Sequence, residues 1–310
     1  MRSGILAFAV AFAVSATGGL SCSTSPASSV DASVLEPIPA PRRDSGAYVH
    51  VWPDAGGPGA KCDPGVPVPI WVDTVDGVPS RIHVPVVVEG KRGVLLFDTG
   101  SETTFITTAS GTMDPLPDGG TLSIGSCSRQ ATGRPFVAES SRGFPGLGFL
   151  GTEELFAAPR SSIDLTNGTF TRIFDLSPPT DGWLVTSMEI IRGSMLVRMR
   201  LDDIPVRLLV DTGSADILWL HRFAQPGDVE TQTTDAEGTV IRLFAGTVAA
   251  EITAGIVELL PVVRAPSFPY FEQRVRDLGG DVHGLLGMSA LGGRHVVFDT
   301  VQKTMYRQPK

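Results

Sequence analysis

The phrase Asp-Thr-Gly-Ser occurs twice in this 310-residue chain, as Asp98-Thr99-Gly100-Ser101 and as Asp211-Thr212-Gly213-Ser214. From average residue usage, a given four-residue string turns up on the order of once in 10⁵ positions. Two copies in one chain therefore point to a shared task. Each copy follows an apolar run, Val94-Leu95-Leu96-Phe97 in the first case and Leu208-Leu209-Val210 in the second. Each then leads into another, Phe105-Ile106 and Ile217-Leu218-Trp219-Leu220. Two carboxyls brought together cannot both ionise, so they share one proton. The ionised member is then a general base toward a bound water, and the protonated member a general acid. Asp98 and Asp211 are accordingly the catalytic candidates, read as two halves of one site. This chemistry calls for no cofactor. The histidines, His50, His83, His221, His283 and His295, show no metal-ligand spacing.

The surrounding elements must deliver both carboxyls. Gly and Pro are abundant and aromatics scarce, a profile of many short strands joined by turns. Ile82, Val84, Val86 and Val88 alternate with His83, Pro85 and Val87, which predicts a strand despite the proline. A turn over 89–93 precedes the buried strand that ends at Asp98. The second half repeats this order. Met195, Val197, Met199 and Leu201 alternate with Leu196, Arg198, Arg200 and Asp202, and Ile204 to Val210 then leads to Asp211. Later each half carries an apolar-apolar-Gly segment, Phe149-Leu150-Gly151 and Leu285-Leu286-Gly287, followed by a short helix and a closing strand. Asn167-Gly168 is a hairpin signal in the first closing unit. The chain is an internal repeat, broken at Ser177-Pro178-Pro179-Thr180-Asp181-Gly182. The reading is all-β, with one lobe over 66–178 and a second over 183–308.

The beginning of the chain carries an address. Arg2, an apolar core from Ile5 to Val14 and small residues up to Cys22 form a signal peptide over 1–22, too short to span a bilayer. Gly19-Leu20-Ser21-Cys22 resembles the bacterial lipoprotein cleavage box, with Gly19 where a larger aliphatic residue is usual. Lipidation of Cys22 would anchor an exported protein in the cell envelope, periplasmic or at the cell surface; the alternative is a plain secretory signal. Residues 23–65 are rich in Ser, Pro, Ala, Asp and Gly, and read as a disordered tether. With Cys22 lipidated, Cys62 and Cys127 are left as an even pair, consistent with one disulfide or with two unrelated thiols. A net charge of −8 without a Lys/Arg cluster argues against a nucleic-acid partner.

With both aspartate phrases and both glycine segments in place, the chain resembles aspartic proteases of the pepsin and retropepsin superfamily over about 66–308. The resemblance implies two tandem, pseudo-symmetric retropepsin-like β-barrel lobes in a bilobal acid-protease fold. The aspartates are 113 residues apart, so each half is about the size of a retropepsin subunit and one monomer would suffice. The implied activity is aspartic-type endopeptidase, with a protein or peptide as substrate. The alternative is a catalytically silent, lipid-anchored protein that binds peptides or an envelope partner. By the same resemblance, Thr99 and Thr212 cross-bond the two loops, and Gly100 and Gly213 permit their close approach. Ser101 and Ser214 would donate hydroxyl hydrogen bonds to the carboxylates, which favours ionisation. Retroviral enzymes usually have Ala there, so the serines place the expected pH range at the acidic end. Gly151 follows Asp98 by 53 residues and Gly287 follows Asp211 by 76. The larger excursion puts the main substrate-covering flap in the second half, around Thr239 to Val248, with Phe244 as a candidate substrate contact.

Overall fold

The computed structural model describes residues 65–309, apart from 76–77, 89–90, 103, 107–120, 125–126, 131–147, 176, 178, 180–181, 235–239 and 292–293. The first half runs β1 (Val68–Pro69), β2 (Trp71–Val75), β3 (Val78–Val88), β4 (Lys91–Phe97), β5 (Phe105–Ile106), β6 (Thr121–Ile124), β7 (Cys127–Gln130) and β8 (Gly148–Leu150). Helix α1 (Glu153–Phe156), β9 (Arg160–Asp164) and β10 (Thr169–Ile173) close it. The second half runs β11 (Leu184–Ile191), β12 (Ser194–Leu201), β13 (Ile204–Val210), β14 (Ile217–Leu220), β15 (Val229–Thr234), β16 (Val240–Thr253) and β17 (Ile256–Ala265). It continues through α2 (Pro269–Asp277), β18 (Gly284–Leu286), α3 (Met288–Leu291), β19 (His295–Asp299) and β20 (Thr304–Arg307).

The fold is all-β, and the repeat in the sequence is a repeat in space. β3 pairs antiparallel with β4, and β12 with β13. β4 then takes β8 as a parallel neighbour, with Phe97 opposite Leu150; β13 takes β18 likewise, with Val210 opposite Leu286. β5 and β14 complete each unit by lying antiparallel to β8 and β18. One difference from simple alternation lies in β3, where Ile82 through Val87 are all buried. Strands β2, β4 and β6 all pair with β3, and buried His83 is satisfied through Nε2 by Asp73 at 2.7 Å. The Asn167-Gly168 signal falls in a four-residue turn between Asp164 and Thr169, with Gly168 at a φ of 62°.

The closing strands join the halves. They form the run β1-β10-β9-β19-β20-β11 within a 13-stranded sheet, while the remaining first-half strands make a 7-stranded sheet. β9 of the first half pairs antiparallel with β19 of the second, from His295 opposite Asp164 to Asp299 opposite Arg160. One hydrophobic core spans both halves, with Val84, Leu95, Phe97 and Leu150 alongside Val197, Leu208, Val210 and Phe298. A second cluster gathers Phe271 and Val275 of α2 with Ile241 and Leu243 of β16.

At the seam Arg160 Nε donates to Asp299 Oδ2 at 2.6 Å, and both side chains are almost wholly inaccessible (1% and 0% exposed). The Asp299 carboxylate also accepts from the N–H groups of Val301 and Gln302. Removing one partner of such a pair leaves an uncompensated buried charge. Arg160→Ala is expected to lose about 3–5 kcal/mol of stability in urea unfolding. A loss below about 1 kcal/mol would show that the seam does not depend on this pair.

Candidate active site

Each aspartate is placed by a strand end and a glycine segment. Asp98 follows β4, and its N–H donates to Leu150 O at 2.9 Å; Asp211 follows β13, and its N–H donates to Leu286 O at 3.0 Å. After each aspartate the chain turns sharply, and the carboxylate accepts the N–H of its own glycine. The distances are 2.9 Å from Gly100 N to Asp98 Oδ1 and 2.8 Å from Gly213 N to Asp211 Oδ1. Gly287 lies so close beneath the second loop that a Cβ would sit 2.3 Å from Asp216 O and 2.7 Å from Ser214 O. The helices α1 and α3 start immediately beyond these segments, and Thr152 N and Met288 N donate to Ser101 O and Ser214 O respectively.

The two loops meet through their threonines. Thr99 N donates to Thr212 Oγ1 at 3.1 Å, and Thr212 N donates to Thr99 Oγ1 at 3.0 Å. Each hydroxyl passes its own proton across to the opposite strand end. Thr99 Oγ1 reaches Val210 O at 2.9 Å, and Thr212 Oγ1 reaches Phe97 O at 2.6 Å. Both side chains are buried. The glycines give room for this approach. A Cβ on Gly100 would lie 2.7 Å from Asp211 Cγ, and one on Gly213 would lie 2.9 Å from Asp98 Cγ. Each loop thus lays its glycine against the other loop's carboxyl.

Asp98 and Asp211 are hydrogen-bonded to one another. Burial, then the charge of Asp211, holds the Asp98 carboxyl well above the ordinary range; its side chain is only 2% exposed. Asp211 is half-buried. Burial raises it too, but hydrogen bonds from Asp98 and from the N–H groups of Gly213, Gly100 and Ser214 oppose the rise. Burial thus raises both carboxyls, and three backbone N–H groups converge on Asp211 against two on Asp98. The pair still titrates as a unit.

Ser214 differs from expectation. Its Oγ donates to Asp216 O at 3.0 Å, and it is its backbone N–H that approaches the Asp211 carboxylate. Ser214 turns its hydroxyl to a carbonyl two residues on because the tight loop leaves that carbonyl in reach. Its hydroxyl therefore does not favour ionisation of Asp211, and the inference of a strongly acidic range loses that support.

Phe244 lies mid-strand in β16, half-buried, with backbone partners Glu230 on one side and Arg264 on the other. The β15–β16 hairpin does occupy the second-half excursion, with Thr234 opposite Val240. Its tip, 235–239, lies outside the described residues, as does 107–120, the matching stretch of the first half. Trp219 packs in the core, with the Arg222 guanidinium 4.6 Å from its ring centre. Cys22 and Cys62 lie outside the described residues. Cys127 pairs with Ile124 in the β6–β7 hairpin, and its side chain is not described. Sequence reasoning missed Glu102, Ser194 and Arg274. Glu102 Oε1 lies 2.9 Å from Arg274 Nη1 of α2 and accepts from Ser194 Oγ at 3.2 Å. Its only signal was its place four residues after Asp98.

No protein-family model matches the chain, and no curated protein matches it either. Among solved structures, it is similar to an aspartic proteinase from Irpex lacteus, with a TM-score of 0.47 and 16% identity, over 79% of this chain and 97% of that one. It is also similar to Basic 7S globulin from soybean, with a TM-score of 0.47 and 11% identity, over 79% of this chain and 95% of that one.

The threonine exchange yields a stability test. Thr212→Val keeps the shape but leaves the buried Thr99 N–H and Phe97 carbonyl without partners. At about 1–3 kcal/mol for each orphaned group, the variant is expected to lose about 2–5 kcal/mol in urea unfolding. Thr212→Ser should retain most of the wild-type value. Equal losses in the two variants would locate the effect in packing and contradict the hydrogen-bond account.

Proposed function

We propose that this chain is an aspartic-type endopeptidase that hydrolyses peptide bonds with water activated between Asp98 and Asp211. The observation that carries the reading is the hydrogen-bonded carboxyl pair at the tips of two cross-bonded loops, with one member driven to keep its proton. Asp211, ionised and ringed by backbone donors, takes a proton from the attacking water. The water oxygen bonds to the scissile carbonyl carbon, and Asp98 gives its proton to the carbonyl oxygen. As the gem-diol collapses, one of its hydroxyls returns a proton to Asp98, the C–N bond breaks, and Asp211 gives its proton to the leaving nitrogen. No covalent enzyme intermediate is needed, and the dyad returns to one shared proton.

Backbone placement supports this assignment of roles. The loops are held by donors and acceptors that need no rearrangement during reaction, which is where electrostatic catalysis gains most. The leader extends the proposal to location: an exported protein, anchored through lipidated Cys22 in a bacterial cell envelope, acting as a monomer on protein or peptide substrate. Among the described residues no helix is long and apolar enough to cross a membrane, so Cys22 would supply the attachment.

The pH dependence follows from the two directions. Activity needs one proton on the pair. It falls at high pH when Asp98 loses its proton, and at low pH when Asp211 gains one. Both carboxyls are raised above 3.8, so the profile of kcat/KM is expected to be a bell whose alkaline limb lies clearly above the ordinary carboxyl range. A profile that falls through pH 4 with no higher limb would contradict the placement of the proton.

Asp98→Asn keeps a neutral donor but cannot release a proton, and is expected to lower kcat by about 10²–10⁴-fold on a denatured protein substrate. Asp211→Asn should do the same, and a statine-type inhibitor should block the wild type. Peptide binding without cleavage in the wild type would favour the silent binding protein instead. Stability should move the other way. A carboxyl raised in the folded state stabilises fully below its unfolded pKa, and that contribution is lost as pH rises through the folded value. Asp98→Asn is therefore expected to have a Tm at neutral pH above that of the wild type, by roughly 2–4 °C per kcal/mol recovered. The gain should vanish below about pH 4. A neutral-pH Tm below the wild type would overturn the assignment of burial strain to Asp98.

A further inference from the structure

Glu102 belongs to the first catalytic loop, yet the groups that hold its carboxylate come from the second half. Arg274 Nη1 lies 2.9 Å from Glu102 Oε1, and Arg274 Nη2 donates to Ser194 Oγ at 2.6 Å. Ser194 Oγ in turn donates to the same carboxylate oxygen at 3.2 Å, closing a three-membered ring of hydrogen bonds. Both charged side chains are about three-quarters shielded, at 23% and 24% exposed. The backbone joins in. Thr152 Oγ1 donates to Gly193 O, at the tip of the β11–β12 hairpin, at 2.7 Å, and Glu153 N donates to Glu102 O at 3.3 Å. Gly193, at a φ of 82°, lies flat enough against Glu102 that a Cβ would rest 3.5 Å from its Cγ.

The clasp has no mirror image. Ala215 occupies the position in the second loop that Glu102 holds in the first. The helix that supplies Arg274 also enters, through Phe271 and Val275, the hydrophobic cluster that holds Ile241 and Leu243 of the β15–β16 hairpin. The helix α2 therefore shares a core with the hairpin while Arg274 holds the loop that carries Asp98. The contacts of Glu102 with Arg274 and Ser194, and of Thr152 with Gly193, cross between halves, where a small rotation would alter the carboxyl pair.

We propose that Glu102, Arg274 and Ser194 are positioning residues that set the approach of the two lobes at the dyad and tie it to the β15–β16 hairpin through α2. The catalytic part of this proposal rests on the endopeptidase reading; the geometric part does not. When the clasp is opened, the first loop is free to move from the second, and the reciprocal Thr99 and Thr212 bonds are the next to open. A displacement near 1 Å at a reacting group costs about a hundredfold in rate.

The test uses the full chain with Glu102→Gln, Arg274→Gln, the double variant, and the charge exchange Glu102→Arg with Arg274→Glu. Amide hydrogen exchange at Thr99 and Thr212, read against global stability, needs no activity. Exchange there should accelerate at least tenfold in each single variant, no further in the double, and recover in part in the charge exchange. Acceleration confined to 101–104 and 193–194 would show a local brace only and overturn the proposal. On a cleaved peptide, kcat should fall about 10- to 100-fold with KM changed less than about threefold, and the alkaline limb should shift. Unchanged kcat and pH profile in an enzyme that still requires Asp98 and Asp211 would overturn the proposal while leaving the endopeptidase reading intact. No dyad-dependent cleavage in the wild type would overturn that reading, and the exchange data would then decide the clasp alone.

Discussion

Two carboxyls held in contact away from water repel unless one keeps its proton, and a fold that accepts this must hold them there by force. In this chain the force is the reciprocal exchange between Thr99 and Thr212, whose hydroxyls each accept an N–H and donate to the strand end across the pseudo-twofold. Everything around the site serves that exchange. The parallel pairing of β4 with β8 and of β13 with β18 fixes where each loop begins, and the glycines clear the space between them. The seam of closing strands, with the Arg160–Asp299 pair buried in it, keeps the halves from separating at the far side. The cost of burying the dyad is spread over a core that both halves share.

Symmetry in this molecule is close in the backbone and broken in the side chains. Each aspartate accepts the N–H groups of the glycine and serine of its own loop, but Asp211 also draws on Gly100 N–H, and Asp98 is the more deeply buried. A perfectly symmetric site would leave acid and base roles interchangeable. Here the surroundings already make the two carboxyls unequal. The same inequality runs outward. The first loop is clasped by Arg274 and Ser194, whereas the second has Ala215 in the equivalent place. Nearby Asp216 is half-buried, and burial raises its carboxyl.

The parts legible in the sequence were those in which one residue type had no substitute. Asp98 and Asp211 at strand ends, Gly100 and Gly213 after them, and the apolar-apolar-Gly segments all reflect backbone approaches that admit nothing larger. The strand order of each half followed from the repeat, because burial on both faces at the ends of β4 and β13 makes Leu95-Leu96-Phe97 and Leu208-Leu209-Val210 continuous apolar runs. Hydroxyl direction was not legible. The Ser214 hydroxyl donates to Asp216 O because the turn of the loop brings that carbonyl into reach. The place of Phe244 within its hairpin was not legible for a related reason: hairpin register, not local composition, sets how far a residue stands from the tip. The clasp was invisible because Glu102 and Arg274 are 172 residues apart and neither belongs to a recurring pattern.

The central claim is that a single chain holds Asp98 and Asp211 in contact with one proton between them. Carboxyl-carbon NMR on protein labelled at aspartate, assigned with Asp98→Asn and Asp211→Asn, measures this directly. Two widely separated titration steps are predicted, with the higher step dominated by Asp98 and each step displaced when the other aspartate is replaced. Two independent titrations near pH 4, unaffected by replacement of the partner, would contradict it.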